Sequence, residues 1–504
     1  MDVYEITGYQ TGVSDAGVNF LQPSDSFQEI NNGYIYRQVL QSRKGVGYFA
    51  PRLAGNTRIF GIFEHILPDS TKQLLAFYQN FLYRYNTATR VFHQIAFGGS
   101  MAAYGGFNIS SKSFYVSGTS YPTDTNTARF VFTGKGIAPN AASSSIFFYD
   151  GTNVKDFTSV VDNPNYAAPT MGALTKAEYV LWFGERLNFV IPTIASVEYN
   201  QGFLYSGIRN AAGNGDKFNV AGSGLLQADT YELITGVSIL GQIIALNFNR
   251  SNWTIEKTRD AFNPYFIRKV PSVIGTDAKF SAVSWNDIVR SLGKTGIIST
   301  DGRQSLRSDN KIPNFTANKI DQNDFNLTYG GFDRVNGQFL WAYKEYESDS
   351  TTQNRVLTGN YEENTWSVND QRISVLGQTD IGINLTWDDI DSAAGDPSWE
   401  RWDTTENIWD EIGLEASVQK TLAGDDLGFI YDINQDYDDY FTTISAVTNA
   451  SQAVLTVAAS GILAGDRVTI SNVEGMLNED GESGINNFDP GGDNIDYVPY
   501  IVIS

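Results

Sequence analysis

KQLLAFYQNFLYRYNTATRVFHQI, residues 72–95, decides how the rest of the chain is read. Three short apolar runs, 74–78, 81–85 and 91–95, are separated by the turn signals QN and NTAT. Each run has the length of a strand and is rich in aromatics, which favour a pleated, half-buried surface. Strand, tight polar turn, strand is the unit that results.

The unit recurs. It appears at 145–159 (SIFFYDGTNVKDFTS, with Asp150-Gly151 as a hairpin turn), at 178–192, at 238–257, at 294–307, at 336–368 and as GDDLGFIYDIN near 424–434. Spacings of a few tens of residues between such units suit β-propeller blades with loop insertions. A sandwich shows related alternation, and the propeller is favoured over it. Helix signals are sparse; KAEYVLWF and WNDIVRSLG are the two short helical candidates, the first competing with a strand. The expected fold is all-β: residues 1–55 an N-terminal arm with first strands, 56–444 a β-propeller-like body, and 445–504 a small β-barrel or β-sandwich module with a C-terminal strand. The last boundary follows from a shift to small residues, Thr and Val.

Composition narrows the function. The 504 residues carry 57 acidic and 35 basic side chains, a net charge of −22. That excludes a nucleic-acid-binding surface, which needs clustered Lys and Arg, but suits a surface that DNA slides past without sticking. The stretch 387–440 holds sixteen of the acids, and Trp387, Trp399, Trp402 and Trp409 are each followed by one. No cysteine is present, so disulfides and thiolate zinc sites are excluded. The first ten residues show no secretory signal, and no apolar run is long enough to span a bilayer, so synthesis in a cytoplasm is expected.

Chemical motifs are few. The two histidines, His65 and His93, sit beside apolar residues, and no nucleophile elbow or HExxH accompanies them. Acids in runs read as solvated faces rather than an isolated glycosidase pair. Asp432, Asn434, Asp436 and Asp438 have the alternate-oxygen spacing of a calcium loop but lack its glycine and terminal glutamate. Residues 213–224 read as a flexible loop without a phosphate-clamping lysine. Ser299, Asp301 and Gly302 read as a type I′ hairpin turn. No cofactor and no enzymatic activity are expected.

The body resembles the tail nozzle (tail tubular protein B) family of short-tailed bacteriophages. The likeness runs, in order, through GVNFLQPSDSFQEINNGYIYRQVLQSRKGVGYFAP, RIFGIFEHI, LLAFYQNFLYRYN, ERLNFV, LYSGIRN, IIALNFNRSNWTIEK, ISTDGRQSL, YEENTWSV, WDDID…WERWDT…NIWDEIG and AGDDLGFIYDINQDYDD, over roughly residues 15–440. Arg43-Lys44-Gly45 departs from the family's Arg-Pro-Gly. Residues 465–476 are similar to a β-module of the first catalytic-cysteine half-domain of ubiquitin-activating enzymes; without cysteine it can only be scaffold. The resemblance implies a virion subunit at the distal end of a phage tail, in a hexameric ring around the DNA exit channel. Its expected partners are further copies of itself, an adaptor or tail tube protein, DNA in transit and a host receptor. Asp388, Asp389, Asp403, Asp410, Asp425, Asp426, Asp438 and Asp439 are the candidate lumen or subunit-contact acids. The rival reading is a receptor- or carbohydrate-binding propeller at the tail tip.

Overall fold

Seven four-stranded antiparallel sheets follow one another along the chain in the computed structural model. It describes residues 12–14, 26–380 and 419–435, apart from 54–56, 88–90, 103–105, 110–114, 124–126, 135–136, 140–144, 163–169, 211–212, 273 and 349. Nearer the C-terminus it describes 444–447, 455–457, 467–468 and 500–501. The chain divides into two compact units, 1–434 and 435–504.

In the first unit the sheets are blades, at 59–94, 117–156, 179–227, 234–270, 283–307, 329–369 and 375–435. The first strand of each is innermost. Inner strands of successive blades pack on one another, the seventh against the first, which closes the ring. Between blades three and four the link is the Tyr179 hydroxyl, which donates to the Thr235 carbonyl at 3.1 Å. Two glycines let these backbones approach. A Cβ on Gly331 would lie 2.6 Å from Leu376 of blade seven, and one on Gly377 would lie 2.6 Å from Ile62 of blade one.

The middle strands of a blade are buried on both faces, so they read as continuous apolar runs. Gln338–Tyr343 of blade six is buried at every position. Interleaved aromatics fill the space between blades: Trp285 stacks on Phe332 with ring centroids 4.0 Å apart, joining blades five and six. Both helical candidates are strands. KAEYVLWF contains the inner strand Tyr179–Trp182. WNDIVRSLG is a turn at Asn286, where φ is 50°, followed by the strand Ile288–Gly293. Their apolar residues meet neighbouring blades on both faces, a burial pattern that a helical period mimics over so short a run.

Blade seven has three strands from residues 375–435 and takes its outer strand, Gly45–Tyr48, from the N-terminal region. The Phe49 amide donates to the Ile430 carbonyl at 2.9 Å, and the Leu53 amide to that of Gly428 at 3.1 Å. The expected arm is therefore part of the body. Just before it, Ile30 and Asn32 bond both sides of Val368, covering the edge of blade six, and the hairpin Gly33–Tyr36/Val39–Ser42 follows.

An eighth four-stranded sheet was not anticipated. Ser159–Asp162 and Thr170–Lys176 pair with the hairpin Thr193–Ile194/Val197–Glu198, which interrupts blade three. Val161, Leu174 and Ile194 pack with Phe157, Phe189 and Phe218 between blades two and three.

The second unit is described through two short antiparallel pairs, Ile444–Val447 with Leu455–Val457 and Arg467–Val468 with Tyr500–Ile501. The C-terminal strand thus has its partner within its own unit. No closed barrel is seen among the described residues.

Candidate functional site

At the rim where the inner strands begin, side chains from several blades converge. Four entries to inner strands deliver an aromatic ring: Tyr115 for blade two, Tyr179 for blade three, Phe280 for blade five and Tyr329 for blade six. The Tyr115 ring lies 5.1 Å from that of Phe280 and 4.8 Å from that of Tyr329, and Tyr179 lies 5.1 Å from Phe280. Blade two stands across the ring from blades five and six, so these contacts cross the propeller axis. Its mouth on this face is filled.

Polar groups lock the plug. Gln353 Nε2 donates to the Tyr115 hydroxyl at 2.6 Å and to the Ser374 carbonyl at 3.2 Å, while that hydroxyl donates to the Leu327 carbonyl. The Arg58 guanidinium lies 4.6 Å from the Tyr115 ring centroid, over its face. The Tyr179 hydroxyl shares its one proton between the Thr235 carbonyl and the Lys279 carbonyl, the latter at 2.8 Å, and Lys279 Nζ reaches Glu178 at 2.5 Å. Burial raises the Tyr115, Tyr179 and Tyr329 hydroxyls above the ordinary phenol range, so they stay protonated donors. The sequence signal for this plug is an aromatic at or just before the first residue of an inner strand, and the sequence reading passed over it.

The candidate acids separate. Asp425 is 3% exposed and does not face a channel. Its Oδ1 accepts from the Leu427 amide at 2.9 Å and the Phe429 amide at 2.7 Å, and its Oδ2 from the Tyr431 hydroxyl at 2.8 Å. Burial still pushes its carboxyl up to about 6. It is a turn-capping residue, and the acidic run around it hid that because capping carboxylates and solvated ones look alike in sequence. Half-buried Asp426 accepts from Thr352 Oγ1 at 2.7 Å. Asp388, Asp389, Asp403, Asp410, Asp438 and Asp439 lie outside the described residues.

Of the calcium candidates, Asp432 and Asn434 belong to the strand Ile430–Gln435 and not to a tight turn. Asp432 is buried and pairs with Lys420 Nζ at 3.1 Å. Asp436 and Asp438 lie outside the described residues. Among the described residues no group of three His, Asp or Glu side chains is arranged to hold a metal.

Other turns repeat the capping device. Asp150 Oδ1 accepts from the Thr152 and Asn153 amides, and Asp301 Oδ1 from those of Arg303 and Gln304, at 2.8–3.0 Å. At 301–304 only Gly302 has positive φ, 80°, so the turn is not type I′, which needs two such residues. Residues 213–224 are pinned rather than flexible. Phe218 is fully buried, and Asp216 accepts from the Tyr121 hydroxyl and from Arg129 Nη1, both at 3.1 Å.

His65 is fully buried, with Nδ1 2.8 Å from Ser120 Oγ and its ring edge against Phe130 and Tyr149. Burial pushes its pKa down to about 4, so it is a neutral core imidazole. His93 is exposed on the outer strand of blade one.

On the opposite rim a groove of about 430 Å³ lies between blades four and five, lined by Leu240, Ile243, Glu256, Arg268, Asp287 and Arg303 among others. Arg268 is engaged by Glu256 at 2.7 and 2.9 Å. No aromatic ring lines the groove, so it offers no platform for stacking a sugar.

No family model matches the chain, and no curated protein matches it. Among solved structures it is similar to a chain of the mitotic checkpoint complex, at 11% identity and a TM-score of 0.35, over 66% of this chain and 88% of that one, too slight a likeness to read function from.

Proposed function

We propose that this chain is a structural virion protein, a tail nozzle subunit of a short-tailed phage. It assembles as a hexameric ring at the distal end of the tail, below an adaptor or tail tube protein. Its action is mechanical, without catalysis or cofactor. DNA passes between copies, and carboxylates along that passage repel phosphate over roughly 8–10 Å in salt.

The observation that carries this reading is where the resembling sequence pieces fall. RIFGIFEHI supplies an inner blade strand, and LLAFYQNFLYRYN, IIALNFNRSNWTIEK and AGDDLGFIYDIN are each the hairpin between the second and third strands of a blade. Three of the pieces thus fall on equivalent positions of a repeating architecture. The plugged axis supports the same reading, because a plugged blade ring leaves only the space between copies as a conduit.

The test is the mass and shape of the purified chain. A hexamer that images as a ring with a central hole is expected. A monomer at micromolar concentration, across a range of salt, would sink the proposal.

A further inference from the structure

We infer that the hairpin Gly33–Tyr36/Val39–Ser42, with the strand Gly45–Tyr48 that follows it, is the surface on which a second copy of this chain docks. This rests on the ring assembly proposed above and names the contact that builds it.

Three features of this edge point to a protein partner. All four residues of Val39–Ser42 are exposed, so the strand buries neither face. Among the described residues it pairs only with Gly33–Tyr36, and its other edge is open. Tyr36, Val39, Leu40 and Val46 are exposed by 39, 56, 40 and 36%, and they make up four of the fifteen exposed large hydrophobics among the described residues. All four fall within eleven residues of sequence, on the hairpin and the strand that follows it. Open apolar edge strands are what soluble proteins usually blunt or cover.

Charge selects the partner. Between Glu29 and Glu64 the chain has no acid, but it carries Arg37, Arg43, Lys44, Arg52 and Arg58. Arg58 is spent on the axial plug, and Arg52 donates to the Leu427 carbonyl at 2.9 Å and lies over the Phe429 ring; Arg37 is exposed, and Arg43 and Lys44 are half-buried. The acids at the foot of the hairpin are already engaged: Glu363 accepts from the Gln38 amide at 3.3 Å, and Asp370 accepts from Asn32 Nδ2 at 3.0 Å and pairs with Arg355. All 57 acids of the chain lie outside this segment, which is net positive in a chain of net charge −22, so the acidic surface of another copy is complementary to it.

The same charge fixes the symmetry. Two such hairpins face to face would bring Arg37, Arg43 and Lys44 against themselves, which disfavours a two-fold contact. A front-to-back contact, basic edge onto acidic surface, is heterologous and closes into a ring when the rotation allows.

The experiment compares native-mass stoichiometry and hydrogen exchange of the full chain with the Val39→Asp/Leu40→Asp variant. The wild type is expected to be a ring with residues 33–48 protected. The variant is expected to keep its near-UV circular dichroism and dissociate at least tenfold more readily. An unchanged ring in the folded variant overturns this inference and leaves the nozzle reading standing; a monomeric wild type overturns both. Protection of 33–48 that persists unchanged in dissociated protein means the chain covers its own hairpin, and also overturns the inference. If the double variant does not fold, Arg43→Glu/Lys44→Glu replaces it. That variant is expected to weaken the ring at low salt, and an unweakened ring counts against the inference.

Discussion

Gln353 Nε2 donates a hydrogen bond to the Tyr115 hydroxyl at 2.6 Å, across 238 residues of sequence. It ties the entry to blade two to a loop of blade six on the far side of the axis. The propeller is therefore held by contacts around its ring and by one set across its middle.

Truncating that latch has a graded cost. Tyr115→Phe keeps the ring and removes only the hydroxyl's bonds, since Gln353 Nε2 still donates to the Leu327 carbonyl at 2.6 Å and to the Ser374 carbonyl at 3.2 Å, so a loss of about 0.5–1.5 kcal/mol is expected. Tyr115→Ala also removes the ring packed on Phe280 and Tyr329, and about 3–5 kcal/mol is expected. Urea unfolding of the two variants measures both steps, and equal losses would mean that the aromatic contacts add nothing.

Gly377→Val tests the inner-strand approach. The added Cβ falls 2.6 Å from Ile62 Cγ2 and 3.0 Å from the Ile62 carbonyl oxygen, which is backbone and cannot rotate away. Overpacking of this kind costs roughly 1–3 kcal/mol, and separation of blades seven and one is expected to show as faster exchange of amides in 59–66.

Asp425 gives a pH dependence of unusual sign. Burial raises its folded pKa to about 6, above the unfolded value, so the fold holds its proton more tightly than the unfolded chain does. Its contribution is greatest below about pH 4 and falls away as pH rises to about 6, by an amount on the order of 2–3 kcal/mol. Asp425→Asn is expected to remove this slope while keeping the turn, as judged from stability measured between pH 4 and 7.

His65 works in the opposite sense over an overlapping window. Its folded pKa is depressed to about 4, so its contribution is complete above its unfolded value near 6.5 and is lost as pH falls through about 4. The loss is on the order of 3 kcal/mol. In the wild type the two trends offset each other. His65→Gln is therefore expected to expose the Asp425 slope, and a flat profile in that variant would contradict the assignment.

Deleting residues 1–48 removes the outer strand of blade seven. The third strand, Ile430–Gln435, then presents an open edge, and a lower Tm with concentration-dependent aggregation is expected. A synthetic peptide of residues 41–53 added in trans is expected to recover part of the loss, read by calorimetry.

The blades were legible because most of their middle strands are buried on both faces and joined by short turns, as in 243–257. The seventh blade's closure was not, because the pairing of Gly45–Tyr48 with a strand hundreds of residues later leaves no local trace. The eighth sheet was hidden for a similar reason: its strands come from two insertions, neither of which is a complete unit. Of the site, the aromatic plug was visible letter by letter but needed blade boundaries to be recognised. Asp425 and Asp432 were misread because an acid buried on a hydrogen-bonded turn or beside Lys420 leaves the same sequence trace as one in water.

The closing strand also sets an order of events during synthesis. Residues 45–48 leave the ribosome long before their partner at 430–435 exists, a wait of roughly 20–80 s at 5–20 residues per second. Throughout that interval six blades can form while the last position stays vacant, so the nascent chain is an open arc. On a crowded polysome a neighbour's early segment could take the vacant place, which makes translation rate and chain spacing determinants of how many rings close on themselves.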